Sequence, residues 1–226
     1  MEGRYNRNLG VLTADEQDAL MQKSVCIIGC GGLGGGVIEN LVRMGVGKLT
    51  VVDCDTFDVT NLNRQVLSNE GNIGNSKADE AAAQMKMINS EVDVTPIHTE
   101  LTEENCRKII ADHDLVIDAV DNIKARLILE AGCEEEQIPL VHGAIGGWTG
   151  QVGVVRPKDR LIHKIYPEGE PDAEPDTSLG NPSFTASIIS AIEAAESIKV
   201  LLDKDALYNK LLMVDLIEHS YEIIEF

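Results

Sequence analysis

The chain has 226 residues, 43% of them hydrophobic, enough for one large or two small domains with a full core. Its formal net charge of -19 argues against nucleic acid or an anionic membrane as the main partner. No apolar run approaches the roughly 20 residues of a membrane span, and no apolar signal segment follows Met1–Arg7, so a soluble, cytoplasmic protein is expected.

Residues 1–12 read as a polar arm carrying Arg4 and Arg7, after which Thr13 and Glu16 form a capping box for a short helix through about Lys23. Val25–Ile28 is an apolar run suited to a buried parallel strand. Six of the next eight residues are glycine, and Val37, Ile38, Leu41 and Val42 then recur at helical spacing. Strand, glycine turn and helix together are the setting that a G-x-G-x-x-G motif requires. Gly29 allows the tight turn, Gly31 or Gly32 lets the backbone approach a phosphate, and Gly34 lets helix and strand pack closely. The helix would aim its N-terminal N–H groups and positive dipole end at that phosphate. Lys48–Asp53 is the second strand, and Asp53 lies at its carboxyl end about 20 residues past the glycines, where a carboxylate reaches a ribose hydroxyl. Asp55 competes for that role.

Residues 54–75 read as a long, functional loop with Asn61, Asn63, Arg64, Gly71 and Gly74. Ser76 and Asp79 mark the next helix start and place Lys77 in its first turn, where a cation opposes the dipole; a local rule broken there suggests function. Asp93–His98 is a strand kept near an edge by Pro96. A helix over Thr102–His113 and a buried strand over Leu115–Val120 follow, then Asp121-Asn122 and a helix through about Glu136. Asp121 reads either as an N-cap or as a magnesium or phosphate ligand at the carboxyl end of a central strand. After a strand over Pro139–Gly143 the alternation stops. Gln151–Val155 and Leu161–Ile165 read as antiparallel strands, 166–183 as a proline-rich crossing loop, Thr185–Asp203 as a helix, and Leu211–Asp215 and Tyr221–Phe226 as closing strands.

The expected fold class is α/β, a Rossmann-like, doubly wound, mostly parallel sheet with an antiparallel C-terminal extension. A single domain over 1–226 is expected: arm and first helix over 1–23, nucleotide-binding core over 24–150, and antiparallel strands, crossing loop and closing helix over 151–226. The five cysteines, Cys26, Cys30, Cys54, Cys106 and Cys133, are odd in number and form no C-x-x-C pair, which speaks against a disulfide framework and a thiolate zinc site. Cys26 is expected to pack as a small apolar residue.

Arg4-Tyr5-Asn6-Arg7, the glycine loop Gly29–Gly34, Asp53-Cys54-Asp55, Asn61-Leu62-Asn63-Arg64-Gln65, Gly74-x-x-Lys77 and Asp121-Asn122 occur in this order. Together they resemble the MoeB/ThiF/HesA group, the bacterial relatives of ubiquitin-activating enzymes, over nearly the whole chain. The resemblance implies adenylation of the C-terminal glycine of a small ubiquitin-like sulfur-carrier protein ending in Gly-Gly. ATP and magnesium would be used and pyrophosphate released, in thiamin-type or molybdopterin-type cofactor synthesis. It further implies that Gly29, Gly31, Gly32 and Gly34 line the adenosine and phosphates, that Asp53 holds the ribose, and that Arg64 and Lys77 bind phosphates with Asn61 beside them. Asp121 would hold magnesium, with Asn122 next to it. Arg7 would act as an arginine finger in the partner's site, which implies a homodimer. The chain departs from the group in lacking both C-x-x-C pairs, so no zinc is expected. No cysteine lies between Cys133 and Phe226, so a separate sulfur donor is expected, with Cys133 in a packing role. Four other readings remain open on sequence: an NAD-dependent dehydrogenase, a non-catalytic carrier-binding or nucleotide-binding module, and adenylation of a peptide C-terminus or of a tRNA base.

Overall fold

The computed structural model describes residues 3–167 and 177–226. Thr13 and Glu16 close the expected capping box on helix α1 (Ala14–Leu20). Five parallel strands follow, β1 (Ser24–Ile28), β2 (Lys48–Val52), β3 (Asp93–Ile97), β4 (Leu115–Asp118) and β5 (Leu140–Gly146). They alternate with helices α2 (Gly32–Met44), α3 (Lys77–Ile88), α4 (Glu103–Ile110) and α5 (Ile123–Glu136). Antiparallel β6 (Thr149–Val155), β7 (Lys210–Asp215) and β8 (Ser220–Glu225) complete one eight-stranded sheet of order β3-β2-β1-β4-β5-β6-β7-β8. Pro96 lies on the edge strand β3, where a missing N–H costs least.

Two apolar clusters flank the sheet. The larger joins Val37, Ile38 and Leu41 of α2 with Ala81 and Met85 of α3 and Ile189 of α7 (Ser183–Leu201). The smaller joins Cys106 and Ile110 of α4 with Leu129 and Cys133 of α5. Cys26 is fully buried, and Cys133 is buried with its thiol pushed well above the usual range by burial, as expected of packing residues.

One expected strand is a helix instead. Leu161–Ile165 forms α6. Both edges of β6 are already taken, by β5 and β7, so no ladder is open to it. Leu161 and Ile162 are buried, and the Glu130 carboxylate accepts from the N–H of Ile162 (2.6 Å) and of His163 (3.3 Å). The long loop after β2 also contains a short 3-10 turn, Val59–Asn61. Residues 168–176 of the expected crossing loop, with Pro171 and Pro175, lie outside the described residues.

The glycine turn after β1 is dictated by close approach. Gly29 has φ 99°, and a Cβ there would lie 2.5 Å from the Ala119 carbonyl oxygen; a Cβ on Gly34 would lie 1.7 Å from the carbonyl oxygen of Gly29. Helix α2 can therefore start directly beneath the turn only with glycine at 34. Gly34→Ala is expected to cost about 3 kcal/mol of stability, the upper range for overpacking, as read by chemical denaturation. A loss below about 0.5 kcal/mol, the size of an ordinary surface change, would show that the backbones are free to separate.

Candidate active site

The carboxyl ends of β1, β2, β4 and β5 open onto a cleft of about 1010 Å³. This is where open α/β sheets bind ligands, beside the reversal of strand order between β1 and β4. Gly29, Gly31, Gly32, Asp53, Arg64, Lys77, Asp121 and Asn122 all line it.

Asp53 is anchored by backbone. One carboxylate oxygen accepts from the N–H of Cys30 (2.7 Å) and the other from the N–H of Asp55 (2.8 Å), which ties the end of β2 to the glycine turn. Burial holds its carboxyl above the usual range, against those two donors and Lys77. Each oxygen keeps a lone pair for a hydroxyl donor. Lys77 starts α3, whose N-cap Ser76 accepts from the N–H of Asp79. Its side chain is 8% exposed and its Nζ donates to Asp55 Oδ2 at 2.9 Å, while Asp55 itself is 64% exposed. A cation so buried at a cleft wall is placed to meet anionic ligand, and the dipole-opposing position read from sequence is thus compensated by Asp55. Arg64 is half-buried, its guanidinium donating to the Thr60 carbonyl (3.1 Å) and to Asn63 Oδ1 (3.0 Å).

Asp121 does not cap α5. Asn122 does so, accepting from the N–H of Ala125 at 2.8 Å. Asp121 is exposed, and the contact to its carboxylate is the Asn122 amide at 3.4 Å. A carboxylate with most of its lone pairs open, at the end of a central strand, suits a hard cation such as magnesium.

Three expected residues are not in the cleft lining. Gly34 acts beneath the turn. Asn61 is buried in the 3-10 capping box with Asp58, and its carbonyl accepts from the N–H of Arg64 (3.0 Å) and Gln65 (2.9 Å), so it shapes the loop that presents Arg64. Arg7 is exposed at the other end of the domain. The neighbouring Tyr5 ring covers Gly45 at the C-terminus of α2 and its hydroxyl accepts from Asn89 at 2.8 Å, while Arg4 donates to the Ile88 carbonyl at 2.8 Å.

A group not anticipated from sequence runs from the buried ends of β4 and β5 to the cleft wall, where Arg126 and Tyr166 line the cavity. Asp118, at the end of β4, is fully buried and accepts from His142 Nδ1 of β5 at 2.7 Å. His142 Nε2 meets Gln151 Nε2 at 3.0 Å, Gln151 Nε2 reaches the Tyr166 hydroxyl at 2.8 Å, and Arg126 donates to the same hydroxyl at 2.8 Å. Arg126 Nε closes the ring 3.8 Å from Asp118, and its other terminal nitrogen donates to the Val120 carbonyl at 2.7 Å, fixing the turn that carries Asp121.

Beside this ring Glu193 of α7 is fully buried against Gly143, and neither carboxylate oxygen has a partner among the described residues. Burial, and then the Asp118 charge, push its carboxyl well above the usual range, against Arg126. The native state thus keeps a proton that the unfolded chain releases above the ordinary glutamate pKa, so Glu193 loses stability for the fold as pH rises from there towards its native pKa. Glu193→Gln, which is neutral throughout, is expected to raise Tm by at least about 3 °C at pH 8 and to change it little at pH 4.5. Equal shifts at both pH values would place the ionised form in the native core.

The ThiF family pattern matches residues 5–226. The chain is 35% identical to the SAMP-activating enzyme E1 of Haloferax volcanii over 228 residues, covering 99% of this chain and 84% of the relative. It is 34% identical to the molybdopterin-synthase adenylyltransferase of Escherichia coli K12 over 205 residues, 88% of this chain and 81% of the relative. Among solved structures, E. coli MccB with ATP superposes with a TM-score of 0.85 at 22% identity, covering 100% of this chain and 71% of that one, which shows a shared fold.

Proposed function

The chain belongs to the ThiF family, and from that premise we propose that it adenylates the C-terminal glycine of a small ubiquitin-like sulfur-carrier protein at the expense of ATP. The observation that carries this reading is the convergence of Asp53, Arg64, Lys77 and Asp121 around the glycine turn in one cleft. A terminal carboxylate attacks the α-phosphorus, the bond to the bridging oxygen of pyrophosphate breaks, and an acyl-adenylate forms. Two anions must be brought together while charge grows on the leaving group, so positioned cations matter more than acid–base groups.

Asp53 takes the ribose hydroxyls on its open lone pairs. The N–H groups at the start of α2, with Arg64 and Lys77, hold the phosphates. Asp121, with Asn122 beside it, is the residue that would hold magnesium, which when bound neutralises charge on the phosphates. Among the described residues Cys54 is the one exposed cysteine; burial and the neighbouring Asp55 and Asp53 carboxylates raise its thiol above the usual range and disfavour the reactive thiolate, so sulfur transfer is assigned to a separate donor. The relatives named above are described as activating a SAMP protein and as acting on molybdopterin synthase, which supports a ubiquitin-like carrier as the class of partner.

ATP–pyrophosphate exchange tests the proposal. The protein is mixed with carriers ending in Gly-Gly and with the same carriers lacking the last glycine. Exchange that requires the terminal glycine is the expected result. Exchange without any carrier, or equal exchange with the truncated set, would overturn it.

A further inference from the structure

The donor count at Tyr166 leaves one hydrogen unassigned. Arginine has no acceptor, so the Arg126 N–H must donate to the phenolic oxygen. The orientation of Gln151 follows from its neighbour. His142 is fully buried, and burial lowers its affinity for a proton, so the ring is neutral; it gives its Nδ1 hydrogen to the Asp118 carboxylate and must accept at Nε2. The group facing Nε2 is therefore the Gln151 NH2, whose second hydrogen goes to Tyr166. Two N–H donors thus fill the acceptor capacity of the Tyr166 oxygen, and neither can receive its proton. Among the described residues no acceptor takes that O–H.

Tyr166 lines the cleft. It lies on the β5 side with Ala144, Gly146 and Leu179, whereas Asp53, Lys77 and the glycine turn gather on the β1 and β2 side. In the sheet order β4, with Asp121 just past its end, lies between the glycine turn and Asp53 on one side and Tyr166 on the other. We propose that the Tyr166 hydroxyl is a substrate-binding donor whose hydrogen bond goes to a carbonyl or carboxylate oxygen at the C-terminal end of the acyl substrate. The two donors of the ring fix the phenolic oxygen and leave its own hydrogen as the one donor not taken up among the described residues, at a residue that lines the cleft, so the donor is held in place before substrate arrives. The assignment rests on the adenylation reading and adds to it which residue recognises the acyl partner.

The test compares wild type, Tyr166→Phe and Gln151→Leu in carrier-dependent pyrophosphate exchange, with ATP affinity measured by calorimetry without carrier. Tyr166→Phe keeps the aromatic ring and loses only the hydroxyl. It is expected to raise the carrier KM about tenfold with kcat within about threefold, and to leave the Kd for ATP unchanged. Gln151→Leu keeps the hydroxyl and its Arg126 donor but removes one of the two groups that orient it, and is expected to raise the carrier KM about threefold, less than loss of the hydroxyl itself. An unchanged carrier KM in Tyr166→Phe, an equal rise in Gln151→Leu, or a parallel loss of ATP affinity would each overturn the assignment. A wild type that shows no carrier-dependent exchange would instead overturn the adenylation reading, and the assignment with it, so the two failures are told apart by the wild-type control.

Discussion

Replacing Asp121 or Arg64 by alanine is expected to lower kcat/KM for carrier-dependent pyrophosphate exchange by about 10³-fold, the scale of losing one preorganised charge-stabilising group. The fold should survive both changes. Asp121 is exposed and caps nothing, because Asn122 satisfies the first turn of α5. Arg64 is half-buried, and among the described residues its guanidinium bonds are to the Thr60 carbonyl and to Asn63. Tm is therefore expected to fall by no more than about 3 °C. The conservative variants sharpen the expectation. Asp121→Asn keeps shape but halves the ligand oxygens and removes the charge, so it should raise the magnesium concentration needed for half-maximal rate. Arg64→Lys keeps the charge but loses the planar fork, and should recover only part of the rate. Activity within tenfold of wild type in either alanine variant would remove that residue from the site.

The elements that local chemistry specifies were readable in the sequence, and those that depend on strand order were not. The glycine turn, Asp53 at the end of β2, and Lys77 after the Ser76 cap are set by residues within a few positions of one another. Leu161–Ile165 reads as a strand from sequence and is a helix, because five apolar-rich residues carry no period that separates the two. What decided it was the occupancy of both edges of β6 and the distant Glu130 carboxylate. The buried ring shows the same limit more sharply. Asp118 and His142 each interrupt an apolar strand, and a polar residue in such a run is a signal of pairing. That they face each other follows only from the β4–β5 register, in which they are direct partners. Gln151 and Tyr166 join through the antiparallel extension, which sequence placed as a separate region. The Asp121 cap reading is decided locally, because the Asn122 side-chain oxygen accepts the Ala125 N–H and takes the cap position.

Arg7→Ala is expected to lower exchange about 10³-fold, the low end for an arginine finger in phosphoryl chemistry, although this residue is nowhere near the cleft of its own chain. The arm is tied down at Gly45, Ile88 and Asn89, at the C-terminal ends of α2 and α3. The glycine turn lies at the opposite end of α2, about 20 Å away for a helix of that length. A side chain anchored two residues from Tyr5 cannot span that distance without unfolding the arm, so any phosphate it meets belongs to a second subunit. In a symmetric dimer each site would then combine Asp121 of one chain with Arg7 of the other. Mixing Arg7→Ala with Asp121→Ala creates mixed dimers in which one site regains both residues and the other loses both. Random exchange of equal amounts should restore about a quarter of wild-type activity, since half the dimers are mixed and each has one intact site. Either protein alone, or a mixture held below the temperature of subunit exchange, should stay inactive. Failure to recover activity in a mixture whose subunits demonstrably exchange would place Arg7 outside the partner's site and leave the arm a structural role.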